Sequence, residues 1–184
     1  KHDIYEVGYE WVNHSLQPLH LDPHDLRITV GGPDCTPPDS ASIFNISAMS
    51  YGSLSKNAVR ALNLGAKMDG FVHNTGEGGI SPYHLENGGD LTWQIGTAYF
   101  GCRTSKGDFC PKTFKERVSA PNVKMVEIKL SQGAKPGHGG ILPAAKLTPE
   151  IAEIRNVPLG QDVLSPSAHT AFSTPIELLE FVVR

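Results

Sequence analysis

Cysteine is scarce: three among 184 residues. The number is odd, and the spacing matches neither a disulfide framework nor a zinc-ligand pattern. A reduced, cytoplasmic compartment is therefore expected. No apolar run approaches the roughly 18 residues needed to span a bilayer, so no membrane segment is expected within the chain. Basic charge is not in excess, with 16 Lys and Arg against 19 Asp and Glu for a net charge of -3. That excludes a nucleic-acid module working through a broad basic surface. Also missing is a G-x-G-x-x-G turn after the first strand-like run, the mark of a dinucleotide-binding doubly wound sheet. No signal peptide is visible, and the start at Lys1 rather than Met predicts a trimmed piece of a longer ordered chain.

Glycine and proline are plentiful, 19 and 14 residues. Fourteen of the glycines lie between Gly65 and Gly140 in short clusters between apolar runs, which predicts shaped loops rather than a flexible linker. Residues 1–42 are polar and turn-rich and read as an irregular N-terminal lead-in. From Ile43 a rhythm begins. Strand-like runs start near Ile43, Phe71, Trp93, Lys124 and Asp162, at the spacing of βαβ units. Helices fit the gaps. Residues 54–68 carry Ala58, Val59, Leu62 and Ala66 on one stripe, with Ser53 or Ser55 as cap. Thr148-Pro149 opens another, with Ile151 and Ile154 inward, and Thr174-Pro175-Ile176-Glu177 is a capping box. A shorter helix is predicted over 113–118.

Such repeats predict an α/β fold with a parallel sheet. Polar clusters after at least four of the five runs favour a (β/α)8 barrel of TIM type, whose chemistry gathers at the carboxyl ends of its strands. A barrel needs eight strands, so residues 43–184 would form about five of them. Open sheet edges then predict either self-association as a homo-oligomer or continuation into a longer chain.

Three loops stand out: Ala48-Met49-Ser50-Tyr51-Gly52-Ser53, Asn74-Thr75-Gly76-Glu77-Gly78-Gly79, and the stretch from Lys129 to Gly140. Clustered glycines let backbone approach a flat ligand and expose N–H donors to it. A lysine at the end of a barrel strand can balance a developing anion. Glu77, Gln132 and Lys135 add a carboxylate, an amide and an ammonium, a set suited to a small polar substrate above a cofactor. Each has a plainer alternative. Lys129 could snorkel over apolar surface, Glu77 could cap a helix, Gln94 could be an ordinary strand residue, and Arg155 could answer a helix C-terminus. His14, His20, His24 and His84 read as surface residues, and Trp93 and Phe100 as packing. A metal hydrolase on His73, His138 and His169 is a third reading, though their spacing matches no ligand motif.

The run MSYGSLS, then NTGEGG, then K-x-x-QGAKPG-x-GG, then SP before a capped helix, resembles the FMN-binding domain of glutamate synthase from about Ile43 to Arg184. The variants GHGG, LPAAK and SPSAHTAFSTP resemble the stand-alone glutamate-synthase-like proteins more than the large enzyme. The resemblance implies an FMN-dependent oxidoreductase acting on CH-NH2 donors, in which reduced FMN passes a hydride to the imine of a 2-oxo acid such as 2-oxoglutarate, giving glutamate. It implies cofactor contacts from Ala48, Met49, Ser50, Asn74 and Gln94. Lys129 would tune the flavin and, with Glu77, serve catalysis. Gln132, Gly133, Lys135, Arg155 and Ser173 would surround the substrate, Lys135 and Arg155 as carboxylate clamps. NAD(P)H or ferredoxin would be the electron donor. The family's 3Fe–4S cluster uses three closely spaced cysteines that Cys35, Cys102 and Cys110 do not match, so it lies outside this chain or is absent from this branch. His138 stands where the large enzymes usually show Glu. That departure keeps a second reading open, a non-redox binding or scaffolding domain on the same barrel. The missing last strands carry a barrel's phosphate-binding loops, so the piece alone is expected to hold FMN weakly and to be inactive.

Overall fold

The computed structural model of the protein describes residues 5–8, 13, 15–35, 38–133 and 135–184. His14 of the lead-in and Ala134 of the third loop lie outside the described residues. The lead-in is less irregular than expected. After a short 3-10 turn at Pro23–Asp25, β1 (Arg27–Val30) and β2 (Asp39–Ser42) form an antiparallel hairpin with Arg27 opposite Ser42. The run Arg27-Ile28-Thr29-Val30 alternates polar and apolar residues, but it is only four residues long and every one of them is exposed, so it does not stand out as a buried-face strand. Arg27 fastens the hairpin to the body by donating from Nη2 to the Gly70 carbonyl at 2.9 Å.

Helix α1 (Lys56–Asp69) begins where Ser55 accepts from the Ala58 amide and ends at Gly70, whose φ of 67° is the left-handed cap that glycine adopts without a Cβ penalty. It buries Val59, Asn63 and Ala66. The parallel sheet follows: β3 (Val72–Asn74), β4 (Asp90–Ile95) and β5 (Val123–Ile128), in the order β3-β4-β5. On the other edge of β3, Ile46 makes a single parallel bridge to His73. The run from Ile43 is thus one bridge rather than a full strand. Each segment lies beside its neighbour in the chain and runs parallel to it, connected through α1, then α2 (Pro82–Leu85), then α3 (Pro111–Val118). Among the described residues the sheet stays open.

The fifth run departs from expectation. Its strand, β7 (Val163–Leu164), pairs antiparallel with β6 (Ile141–Leu142) and lies outside the parallel sheet. The third run also starts earlier, at Asp90, and ends at Ile95, where Gly96 opens a turn.

Side-chain alternation along β4 sorts the two faces of the sheet. Leu91, Trp93 and Ile95 bury against Ile80, Tyr99 and Cys102, with Phe114 of α3 stacked on Trp93 at 5.4 Å. Thr92 and Gln94 face the opposite way, into a cavity. A second cluster joins Ala98 and Phe100, after β4, to Leu142, Val163 and α4 (Pro149–Arg155) through Ile151 and Ala152. That cluster seats α4 and the β6–β7 hairpin over the carboxyl ends of the parallel strands. Helix α5 (Pro175–Val183) closes the described chain behind the expected capping box of Thr174 and Glu177.

Candidate active site

Lys129 is the first residue past β5. Its N–H donates to the Ile95 carbonyl at 2.9 Å, extending the ladder with β4. That register turns its side chain toward the loop after β3. The ammonium lies 3.1 Å from Gln132 Oε1 and 3.5 Å from Glu77 Oε1. Gln132 closes the triangle, donating from Nε2 to both carboxylate oxygens of Glu77 at 2.8 and 3.0 Å. A carboxylate only accepts and an ammonium only donates, so the two ions dictate the orientation of the Gln132 amide between them.

Glycines make room for the carboxylate. A Cβ on Gly96 would stand 2.8 Å from Glu77 Oε2, and one on Gly140 2.8 Å from Oε1. The side chains of Lys129 and Glu77 retain 25% and 20% of their exposure, so the pair is shielded yet reachable. Gly76, at φ 66°, brings the second loop onto the first, where a Cβ would lie 2.8 Å from the Ser50 amide.

Ala48, Asn74 and Gln94 line an open cavity of about 510 Å³ on the inner face of the sheet, together with Thr92, Met125 and Glu127. Met49 donates its N–H to the Asn74 carbonyl at 3.0 Å, which sets the first loop against the second. Ser50 pairs with Ser53 in the same turn. Glu127 had no place among the expected site residues, and it organises this face. Its Oε1 accepts from Asn74 Nδ2 at 3.1 Å and from Gln94 Nε2. With that NH2 engaged, Gln94 Oε1 is left buried and without a hydrogen-bond partner. A signal for Glu127 exists in the sequence: it sits two residues before Lys129, hence on the same face of one strand.

The remaining expected substrate residues are dispersed. Arg155 ends α4, 6% exposed, with its guanidinium 4.9 Å from the Phe100 ring centre and Nη2 donating to the Tyr51 carbonyl at 3.4 Å. Burial lowers its pKa, and the charge of Glu77 partly offsets that. It lies behind Gly52 and Gly78, where added Cβ atoms would come 3.2 and 3.0 Å from Nη2, so it props the first two loops from beneath. Lys135 is exposed on the third loop and meets Gln132 through its backbone N–H, at 3.2 Å from the Gln132 carbonyl. Gly133 has open space around it. Ser173 serves the cap of α5, its Oγ donating to Glu177 Oε2 at 2.7 Å.

The histidines correct the sequence-based reading. His84 is wholly buried rather than on the surface. Its Nε2 lies 3.0 Å from the Met49 carbonyl, and Nδ1 accepts from the Ser81 amide at 3.1 Å. His73 is equally buried and lies 5.2 Å from His84. His169 reaches the carbonyl of Lys129 at 2.8 Å, whereas His138 is exposed. Among the described residues, no group of three or more His, Cys, Asp or Glu is placed to hold a metal ion. No described helix is long and apolar enough to cross a membrane.

The family model described as the conserved region in glutamate synthase matches residues 12–184. The glutamate synthase large subunit-like protein YerD of Bacillus subtilis (strain 168) is 42% identical over 169 residues, 91% of this chain and 32% of that protein. An archaeal-type glutamate synthase (NADPH) of Thermotoga sp. (strain RQ2) is 40% identical over 122 residues, 66% of this chain and 22% of that one. The glutamate synthase (NADPH) large chain of Bacillus subtilis (strain 168) is 36% identical over 132 residues, 68% of this chain and 8% of its own length. The chain therefore spans a third or less of each of these relatives. Matched across almost all of its length, and with the three glycine-rich loops meeting around Glu77 and Lys129, the chain belongs to the glutamate synthase family.

Proposed function

We propose that this chain is the flavin-facing part of a glutamate-synthase-type oxidoreductase, built on a (β/α)8 barrel that the rest of the protein completes. The proposed reaction reduces the imine of 2-oxoglutarate to glutamate in the cytoplasm. Reducing equivalents would come from NADPH, the donor named for several relatives. The observation that carries this reading is the Lys129–Glu77–Gln132 triangle at the carboxyl ends of parallel strands, beside the cavity lined by Gln94.

The residues present fit FMN. The buried acceptor of Gln94, unpartnered in the protein, suits an N–H donor of the kind a flavin pyrimidine edge offers. Ala48, Met49, Ser50 and Asn74 would form the adjoining wall. When bound, FMN would supply the hydride that reduces the imine carbon.

The protein's own groups do the rest. The Lys129 ammonium, fixed by two acceptors, stabilises negative charge developing beside it, and because it is preoriented little reorganisation is needed. Glu77, with both oxygens engaged by Gln132, presents a carboxylate fit to accept from an imine or ammonium N–H. Lys135, exposed beside Gly133, would meet a substrate carboxylate. Arg155 supports the loops from behind rather than forming the outer clamp. Ser173 would have to leave its Glu177 partner to reach substrate.

The test is an absorbance spectrum of the purified full-length protein, followed by turnover of 2-oxoglutarate with ammonia and NADPH. Flavin bands and glutamate formation are expected, and Lys129→Met should retain flavin while losing about 100-fold or more in rate. Absence of flavin overturns the reading in favour of a non-redox scaffold. Flavin without glutamate formation overturns the substrate.

A further inference from the structure

Lys129 is held from a direction the site does not use. The carbonyl of Lys129 accepts from His169 Nε2 at 2.8 Å, and His169 Nδ1 lies 3.1 Å from the Tyr99 hydroxyl. The same hydroxyl accepts from the amides of Thr170 and Ala171, each at 3.1 Å. A phenol oxygen has two lone pairs and one proton. Both lone pairs are taken by backbone N–H groups, so the proton must go to His169 Nδ1. The imidazole is therefore neutral with its hydrogen on Nε2, the tautomer that can donate to Lys129. Two further observations support an arrangement set by these bonds. Tyr99 is fully buried at φ 52°, a left-handed conformation unusual for an aromatic residue and maintained only where surrounding contacts demand it. The His169 ring stacks on Phe172, centre to centre at 4.6 Å with 22° between the planes. Burial also lowers the pKa of His169, in keeping with a neutral ring.

We propose that Tyr99 and His169 are positioning residues for Lys129: the phenol sets the imidazole tautomer, and the imidazole pins the Lys129 backbone so that its ammonium stays on Glu77 and Gln132. The loop that carries His169 is anchored independently. Thr97 Oγ1 donates to the Pro166 carbonyl at 2.6 Å, and the Ser165 amide donates to the Gly140 carbonyl at 2.9 Å. The turn after β4, the end of β5 and the loop before α5 thus meet at one imidazole. The inference takes Lys129 as the cation of the site, as proposed above, and needs no bound flavin.

Competitive acetylation of the full-length protein with acetic anhydride tests it, with Lys129 read by peptide mass spectrometry against Lys112, exposed on α3. His169→Leu should raise the labelling of Lys129 about tenfold relative to Lys112, the worth of about one net hydrogen bond. His169→Gln, whose amide can donate from near the Nε2 position, should bring it back to within about threefold of wild type. Tyr99→Phe, which keeps the ring and releases its tautomer, should fall between them and carries the test should His169→Leu not fold. Wild-type labelling in His169→Leu or in Tyr99→Phe, or labelling as fast in His169→Gln as in His169→Leu, overturns the proposal. Because the readout requires no cofactor, its failure leaves the flavin reading standing, and loss of flavin leaves this inference standing.

Discussion

Gly139 and Gly140 are neighbours in sequence, yet their missing side chains protect different things. A Cβ on Gly139 would overlap the carbonyl of Ser165, which is backbone and cannot step aside. A Cβ on Gly140 would meet Glu77 Oε1 at 2.8 Å and Gln132 Nε2 at 3.4 Å, the far ends of two flexible side chains. Gly139→Ala should therefore cost about 2 kcal/mol of stability through overpacking. Gly140→Ala should leave the denaturation midpoint nearly unchanged while displacing the Glu77 carboxylate, lowering turnover about tenfold or more. Urea midpoints and rates for the two variants of the full-length protein check this, and equal midpoints would remove the distinction. Residue type and spacing alone point to Glu77, Lys129 and Gln132. Spacing also offers Glu127, two residues before Lys129 on the same strand face, but nothing local points to His169, whose role depends on a contact reached across the fold. For Arg155, expected as a carboxylate clamp, local pattern says nothing of its burial behind Gly52 and Gly78.

His73 on β3 and His84 on α2 are packed where neither can readily charge. Burial, with a smaller contribution from His84, holds the His73 pKa down at about 4, and burial lowers that of His84 as well. In the unfolded chain histidine titrates near 6.5. Above that pH both states are neutral and protonation makes no pH-dependent contribution. As pH falls from 6.5 toward 4, the unfolded chain binds a proton that folded His73 refuses, so stability declines with acidification. The slope is about 1.4 kcal/mol per pH unit from His73, or about 2 kcal/mol by pH 5. The urea midpoint of the full-length protein at pH 7 and pH 5 measures it. His73→Leu should flatten the dependence, since neither ring nitrogen has a partner to lose; an unchanged slope in that variant would falsify the assignment. Elements with local signatures are legible in the sequence: α1 behind Ser55, α4 behind Thr148 and α5 behind the Thr174–Glu177 box. The four-residue α2 is not, being too short to show a helical period, and so His84 does not read as a core residue.

At the scale of the whole molecule, apolar surface remains on the side away from the site. A groove of about 500 Å³ runs between α3, β5 and α5, lined by Phe109, Phe114, Ile128 and Phe181. Nearby on α5, Ile176, Leu179 and Val182 are 69%, 65% and 61% exposed. The outer edge of β5 has no strand partner among the described residues. Such a face with an open sheet edge favours association. Residues 1–184 produced alone should therefore sediment as oligomers, and Leu179→Glu should shift the distribution toward monomer. A monodisperse monomer for the wild-type chain would contradict this.

The order of parallel segments, the helix ends and the three loops that meet at the site were determined by the sequence itself. Capping bonds, alternation and glycine clustering act within a few residues, and so are written in local pattern. Tertiary structure decided the rest. It placed Val163–Leu164 in an antiparallel pair with Ile141–Leu142 rather than in the sheet, and it brought Gln132 to Glu77 across 55 residues of chain. It also buried Arg155 and His84 and set His169 behind Lys129. Those outcomes rest on which distant groups satisfy one another's buried hydrogen bonds and volume, and no local pattern of residues encodes that.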